Sequence, residues 1–213
     1  MEVLAALADI VLRLDVHLGV LVRDYGPWVY AILFAVIFAE TGLVVTPFLP
    51  GDSLLFVAGA LAALGGLDVH VLAACLTFAA ILGNSTNYAI GRWFGTRFLS
   101  GGSRWVKREY LDRTHAFYER HGGLAVVISR FMPIIRTYVP FVAGLAAMDP
   151  RRFTAYNVAG AVLWVGSLAY AGYFFGNLPW VRQNLSLLIV GIIVASLLPL
   201  AWALLRERLA RAP

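Results

Sequence analysis

Charge is what this sequence has least of. Only 14% of its 213 residues are charged and 61% are hydrophobic, against about 25% and about 45–50% in an ordinary water-soluble domain. A soluble core of this length cannot absorb that apolar surplus, so a water-soluble globule is excluded. Cysteine is almost missing too. Cys75 stands alone, which rules out an internal disulfide and a thiolate metal cluster and leaves the thiol as apolar filler. The start Met1-Glu2-Val3 has no basic n-region and no small-residue cleavage site follows, so no cleaved leader is expected and the membrane segments themselves serve as targeting information.

What is present is apolar sequence in long blocks: Val29–Val45, Val71–Ile90, Phe153–Phe175 and Leu185–Leu205, each near the roughly 20 residues that cross a bilayer. The net charge of +5 and pI near 9.7 do not point to nucleic acid. The basic residues cluster in loops beside the apolar blocks, where membrane orientation is the commoner cause.

The fold class expected is all-α integral membrane, a single domain over 1–213. Residues 3–24 carry Asp9, Arg13, Asp15 and His17, too costly for mid-bilayer, and predict an amphipathic helix at the interface. Residues 28–66 predict a first re-entrant hairpin. Pro47, Pro50 and Gly51 break its helix, Asp52 and Ser53 suit the N-cap of the restart, and the second arm Leu54–Leu64 is too short to cross alone. A transmembrane helix at 70–91 follows, then a basic connection over 92–122. Residues 123–149 predict a second re-entrant hairpin, interrupted from Arg130 to Pro140 by Pro133 and Pro140 and returning past Gly144. Transmembrane helices at 153–176 and 185–205 complete the chain.

The two broken units look like repeats. Phe56-Val57-Ala58-Gly59 recurs as Phe141-Val142-Ala143-Gly144, and Gly91-Arg92-Trp93-Phe94-Gly95 is answered by Gly172-Tyr173-Phe174-Phe175-Gly176. A hairpin plus one span crosses the membrane an odd number of times, so the second copy is inverted, as in many secondary transporters. The connection 92–122, Arg151, Arg152 and the tail with Arg206, Arg208 and Arg211 fall on one side, which predicts a cytoplasmic C-terminus.

Within the membrane-embedded part the ionisable residues reduce to Glu40 and Asp52 in the first hairpin and Arg130 and Arg136 in the second. Each needs a partner or water. One reading is plain ion pairing between hairpins, although buried pairs are weak evidence of stabilisation. The other is that Arg130 and Arg136 bind an anion, since guanidinium suits phosphate and carboxylate, while Glu40 or Asp52 carries a proton, with Glu40 favoured as the proton carrier and Asp52 as the arginine partner. Asn84, Asn87 and Tyr88 either line a pathway or make interhelical hydrogen bonds. Tyr156 and Asn157 read as interfacial anchors. The histidines lie in loops or interfacial stretches, and no metal site or cofactor is expected.

Phe38-Ala39-Glu40-Thr41-Gly42 through Pro47-Phe48-Leu49-Pro50-Gly51-Asp52-Ser53 resembles the first hairpin of the DedA family, also called the VTT or SNARE-associated Golgi protein domain. Ser129-Arg130-Phe131-Met132-Pro133-Ile134-Ile135-Arg136 with Gly144 resembles its second, arginine-bearing hairpin. The resemblance implies a multi-pass protein of the bacterial inner membrane with paired re-entrant hairpins. It further implies proton-motive-force-dependent transport and envelope homeostasis, with undecaprenyl phosphate recycling and lipid scrambling among relatives. Its functional acids fall on Glu40 and Asp52 and its functional arginines on Arg130 and Arg136. Asn84 departs from the pattern, because many members have an acid there.

The leading expectation is therefore a flippase for a phosphate-bearing lipid, with membrane lipids, protons and further copies of the chain as partners. A proton-coupled carrier of small ions or solutes predicts flux without lipid movement. A membrane scaffold predicts that neutralising all four charges changes nothing. An enzyme such as a lipid phosphatase is not expected, because that chemistry needs a nucleophile and an acid/base set, often histidines, and the hairpins have no histidine.

Overall fold

The computed structural model describes residues 14–43, 51–99, 123–176, 178–184, 187–188 and 190–192. Every regular element among them is helical: α1 (Leu14–Tyr25), α2 (Trp28–Gly42), α3 (Gly51–Ala63), α4 (Val69–Phe94, continued by a π-turn, Gly95–Leu99), α5 (Leu124–Ser129), α6 (Pro133–Leu145), α7 (Pro150–Phe175) and α8 (Pro179–Gln183). The break at Pro47 and Pro50, the start of the interfacial helix, most of the basic connection and most of the segment 185–205 lie outside the described residues.

Helices α4 and α7 have 26 residues each, about 39 Å at 1.5 Å per residue, enough to cross some 30 Å of hydrocarbon. Only 39% of the apolar stretch of α4 and 33% of that of α7 is buried. Val71, Phe78 and Leu82 on α4 and Val162, Leu163 and Phe174 on α7 face outward. In water these faces would form apolar patches that soluble proteins avoid; lipid removes the cost. Both helices start on an aspartate. The Asp68 Oδ1 accepts the His70 and Val71 amides at 2.8 and 2.9 Å, and the Asp149 Oδ1 accepts that of Arg152 at 2.9 Å, each satisfying N–H groups that a helix start leaves open. The amides, that of Val71 foremost, hold the Asp68 carboxyl below the usual carboxylate range.

The helices group into two compact units, one of residues 1–31, 50–73 and 167–213 and the other of residues 32–49 and 74–166. In the first unit α1 packs on α3. Eleven of the thirteen α3 residues are buried, as expected of a helix apolar all round. In the second unit Tyr88, Val126, Ala143, Met148 and Phe153 form a core, with the Tyr88 and Phe153 rings stacked at 4.2 Å.

The repeated glycine motifs meet each other. In the first unit a Cβ on Gly59 would lie 2.0 Å from the Ala169 carbonyl oxygen, and one on Gly172 2.0 Å from that of Phe56. In the second, Gly144 approaches the Tyr88 carbonyl and Gly91 that of Phe141, each at 2.1 Å by the same measure. The short arm of one repeat thus crosses the long helix of the other, backbone on backbone, once in each unit. Only glycine permits such an approach. Replacing Gly59 or Gly144 by alanine is expected to cost about 1–3 kcal/mol through overpacking, read as a lower thermal midpoint in detergent. Gly166→Ala, where a Cβ meets nothing within 4 Å, is expected to leave it unchanged.

Two sequence expectations need correction. The second interruption is confined to Arg130-Phe131-Met132: α6 starts at Pro133 and continues through Pro140, with Gly144 still inside it. Pro140 therefore does not break the helix. It removes only the bond that its missing N–H would give to the Arg136 carbonyl, a loss that membrane helices tolerate when neighbouring groups re-satisfy the backbone. Asp52 and Ser53 are not the cap of α3 but lie inside its first turn, which begins at Gly51. There an acidic side chain complements the helix dipole.

Candidate functional site

The site is built in the second unit from residues of α2, α4, α6 and α7 and from Arg130 at the end of α5. On α2 the residues Val29, Leu33, Ile37 and Glu40 are all fully buried, and their spacing of four, four and three puts them on one stripe. Glu40 thus occupies the next inward position of an apolar face. Its Oε1 accepts a hydrogen bond from Arg136 Nη2 in a buried ion pair. Arg136 stands in the first turn of α6, and Arg130 caps the end of α5.

Arg130 is 1% exposed. Its Nη2 donates to Asn157 Oδ1 at 2.6 Å and to the Ala80 carbonyl at 3.2 Å. Asn157 is held by its own amide nitrogen, which donates to the Ile81 carbonyl at 3.1 Å and to Ser85 Oγ at 3.2 Å, so its oxygen is turned to the guanidinium. Gly160 makes room: a Cβ there would lie 3.0 Å from Arg130 Cδ. One ring serves both arginines. The guanidinium carbons of Arg136 and Arg130 lie 5.0 and 6.0 Å from the centroid of the buried Trp164 ring, within cation–π range.

Asn87 registers the ion pair. Its Nδ2 donates to the Thr137 carbonyl at 2.7 Å and the Thr41 carbonyl at 3.4 Å, and these residues directly follow Arg136 and Glu40. Gly83 lets the end of α2 approach, since a Cβ there would meet Thr41 Oγ1 at 1.9 Å.

The electrostatics are unequal. Among the described residues no carboxylate lies within ion-pair distance of Arg130; its acceptors are neutral, and its Nε has no hydrogen-bond partner. The buried charges of this unit among the described residues are therefore one acid and two guanidiniums. A buried cation without a counter-charge is costly. The arrangement is suited to accept an anion.

Of the residues singled out from the sequence, Glu40, Arg130 and Arg136 come together in one unit. Asp52 is 9% exposed and belongs to the other. Asn84, Asn87 and Tyr88 lie buried along α4. Of the two roles open to them, interhelical hydrogen bonding is the one Asn87 and Tyr88 perform here: the Tyr88 hydroxyl donates to the Met148 carbonyl and accepts from Arg92 Nη1. Asn157 and Tyr156, expected to be interfacial anchors, make contacts inside the protein. Asn157 is fully buried on Arg130, and Tyr156 packs against the second-unit core and over Gly123. Trp164 was missed altogether. A helical stripe through Phe153, Asn157, Gly160 and Trp164 is the signal that places Asn157 and Trp164 on one face.

Residues 49–174 match the VTT domain. The chain belongs to the DedA family. It is 56% identical to Protein DedA of Escherichia coli K12 over 215 residues, covering 100% of this chain and 98% of that one. It is 44% identical to an uncharacterized membrane protein of Mycobacterium leprae, covering 77% and 74% of the two chains, and 36% identical to the inner membrane protein YghB of Escherichia coli K12, covering 84% and 86%. No solved structure matches the chain. Like these relatives, this DedA-family chain is a membrane protein, in keeping with its outward apolar faces.

Proposed function

We propose that this protein is a transporter of the flippase type in the bacterial inner membrane, linked to the proton-motive force and moving a phosphate-bearing lipid such as undecaprenyl phosphate. The observation that carries the reading is Arg130: a fully buried guanidinium with neutral acceptors, beside a second guanidinium on the same ring. Two forked cations suit the oxygens of a phosphate head group. The exposed apolar faces of α4 and α7 are in contact with lipid, where an acyl or prenyl chain can stay while its head group enters.

Glu40 supplies the coupling. While ionised it occupies Arg136; protonated, it releases those donors to the ligand. The head group is loaded on the acidic side and displaced on the alkaline side, where Glu40 recaptures Arg136. Asp52 is the second candidate acid. The frame is an inverted repeat of hairpin plus span with a cytoplasmic C-terminus, a reading supported by the glycine crossing that recurs in each unit and by the basic connection. No bond is made or broken.

In proteoliposomes the wild type is expected to translocate undecaprenyl phosphate faster under an imposed pH gradient, and Arg136→Ala, correctly inserted, to lose that activity. Equal translocation by the two proteins would sink the assignment. Solute flux without lipid movement would favour a small-ion carrier instead.

A further inference from the structure

We infer that Trp164 is the positioning residue of the two-arginine site: its indole holds both guanidiniums in place against their mutual repulsion. Arg130 and Arg136 carry like charge, and both are almost entirely buried, in surroundings that strengthen repulsion. Arg136 is tied to Glu40, but Arg130 has only neutral acceptors. Among the described residues, the Trp164 ring lies close to both, at 5.0 and 6.0 Å. The electron-rich face of an indole attracts cations more strongly than any other side-chain ring. An aliphatic residue of similar size fills the space without that attraction.

Arg130 comes from the segment between α5 and α6 and Arg136 from the first turn of α6, whereas Trp164 stands mid-way along α7. The ring is thus a fixed post against which two side chains from an interrupted region are set. When Glu40 is protonated, Trp164 and Asn157 are what keep the pair pointed at one ligand position. That use in anion capture rests on the function proposed above; the cation–π contact does not.

The test is a fluorotryptophan series at position 164 alone, with one, two and three fluorines, which drains the ring face of electron density at nearly constant shape. Without ligand, thermal stability in detergent is expected to fall stepwise with fluorine number, and the steps to vanish in a Glu40→Leu/Arg130→Met/Arg136→Met background, which leaves no buried charge without its partner. Equal stability across the series, or the same steps in both backgrounds, would overturn the inference and make Trp164 a space-filler. Undecaprenyl phosphate binding is measured on the same proteins, where affinity is expected to fall by at least about tenfold across the series. A stepwise loss of stability with no binding even by the wild type refutes the proposed function and leaves the contact standing. Binding that is uniform across the series refutes the positioning role alone.

Discussion

Arg130→Met is expected to abolish lipid translocation while leaving the folded protein as stable as the wild type, or more so. The wild-type guanidinium is 1% exposed and bonds to Asn157 and the Ala80 carbonyl. Those two hydrogen bonds to a charged group contribute about 1.5–3 kcal/mol each, whereas the effective cost of burying the ion is itself several kcal/mol. Methionine fills similar volume with no charge to desolvate, so the two terms nearly cancel. The ligand loses a charge-assisted partner, an effect of about 2–5 kcal/mol, or roughly 30-fold to several thousand-fold in affinity. Arg130→Lys is not expected to rescue, because a point charge reproduces neither the fork nor the planar packing on Trp164. Thermal unfolding in detergent and translocation in proteoliposomes, run on the same preparations, separate the two effects.

Glu40 is expected to behave in the opposite way. Glu40→Ala removes the carboxylate bound to Arg136 inside a fully buried stripe, and breaking such a pair from one side costs about 3–5 kcal/mol. The double variant Glu40→Leu/Arg136→Met replaces both charges by apolar groups and is expected to recover most of that stability, yet to remain inactive. Glu40→Gln keeps the shape and can still accept from Arg136, so it is expected to fold. Its translocation is expected to lose its response to a pH gradient, because no proton can then exchange Arg136 between carboxylate and ligand. A Glu40→Gln protein that still responds to the gradient as the wild type does would move the coupling to Asp52 or elsewhere.

The parts of this site that the sequence disclosed are those with few alternatives. In a chain with 14% charged residues, acids in one broken unit and arginines in the other have little choice of partner, yet the acid on Arg136 is Glu40, where the sequence favoured Asp52 as the arginine partner. The four-residue repeats also carried more than pattern, since their glycines are the points where backbone meets backbone. What stayed hidden follows from the same composition. Trp164 and Asn157 lie in an apolar span where tryptophan reads as bulk and asparagine as an anchor, and only their shared face with Gly160 distinguishes them. Pro140 misled because a proline within a helix removes one backbone bond without having to end the helix; in α6 the helix runs on. Asp52 shows the limit of charge counting: matching signs across two hairpins do not decide which acid joins which arginine.

The most direct test is equilibrium binding of undecaprenyl phosphate to the detergent-purified protein, measured for the wild type and Arg130→Met across a pH series. The wild type is expected to bind, and to bind more tightly as the pH falls and Glu40 takes up a proton, while Arg130→Met retains little affinity at any pH. Equal binding by both proteins, with no dependence on pH, would contradict the account.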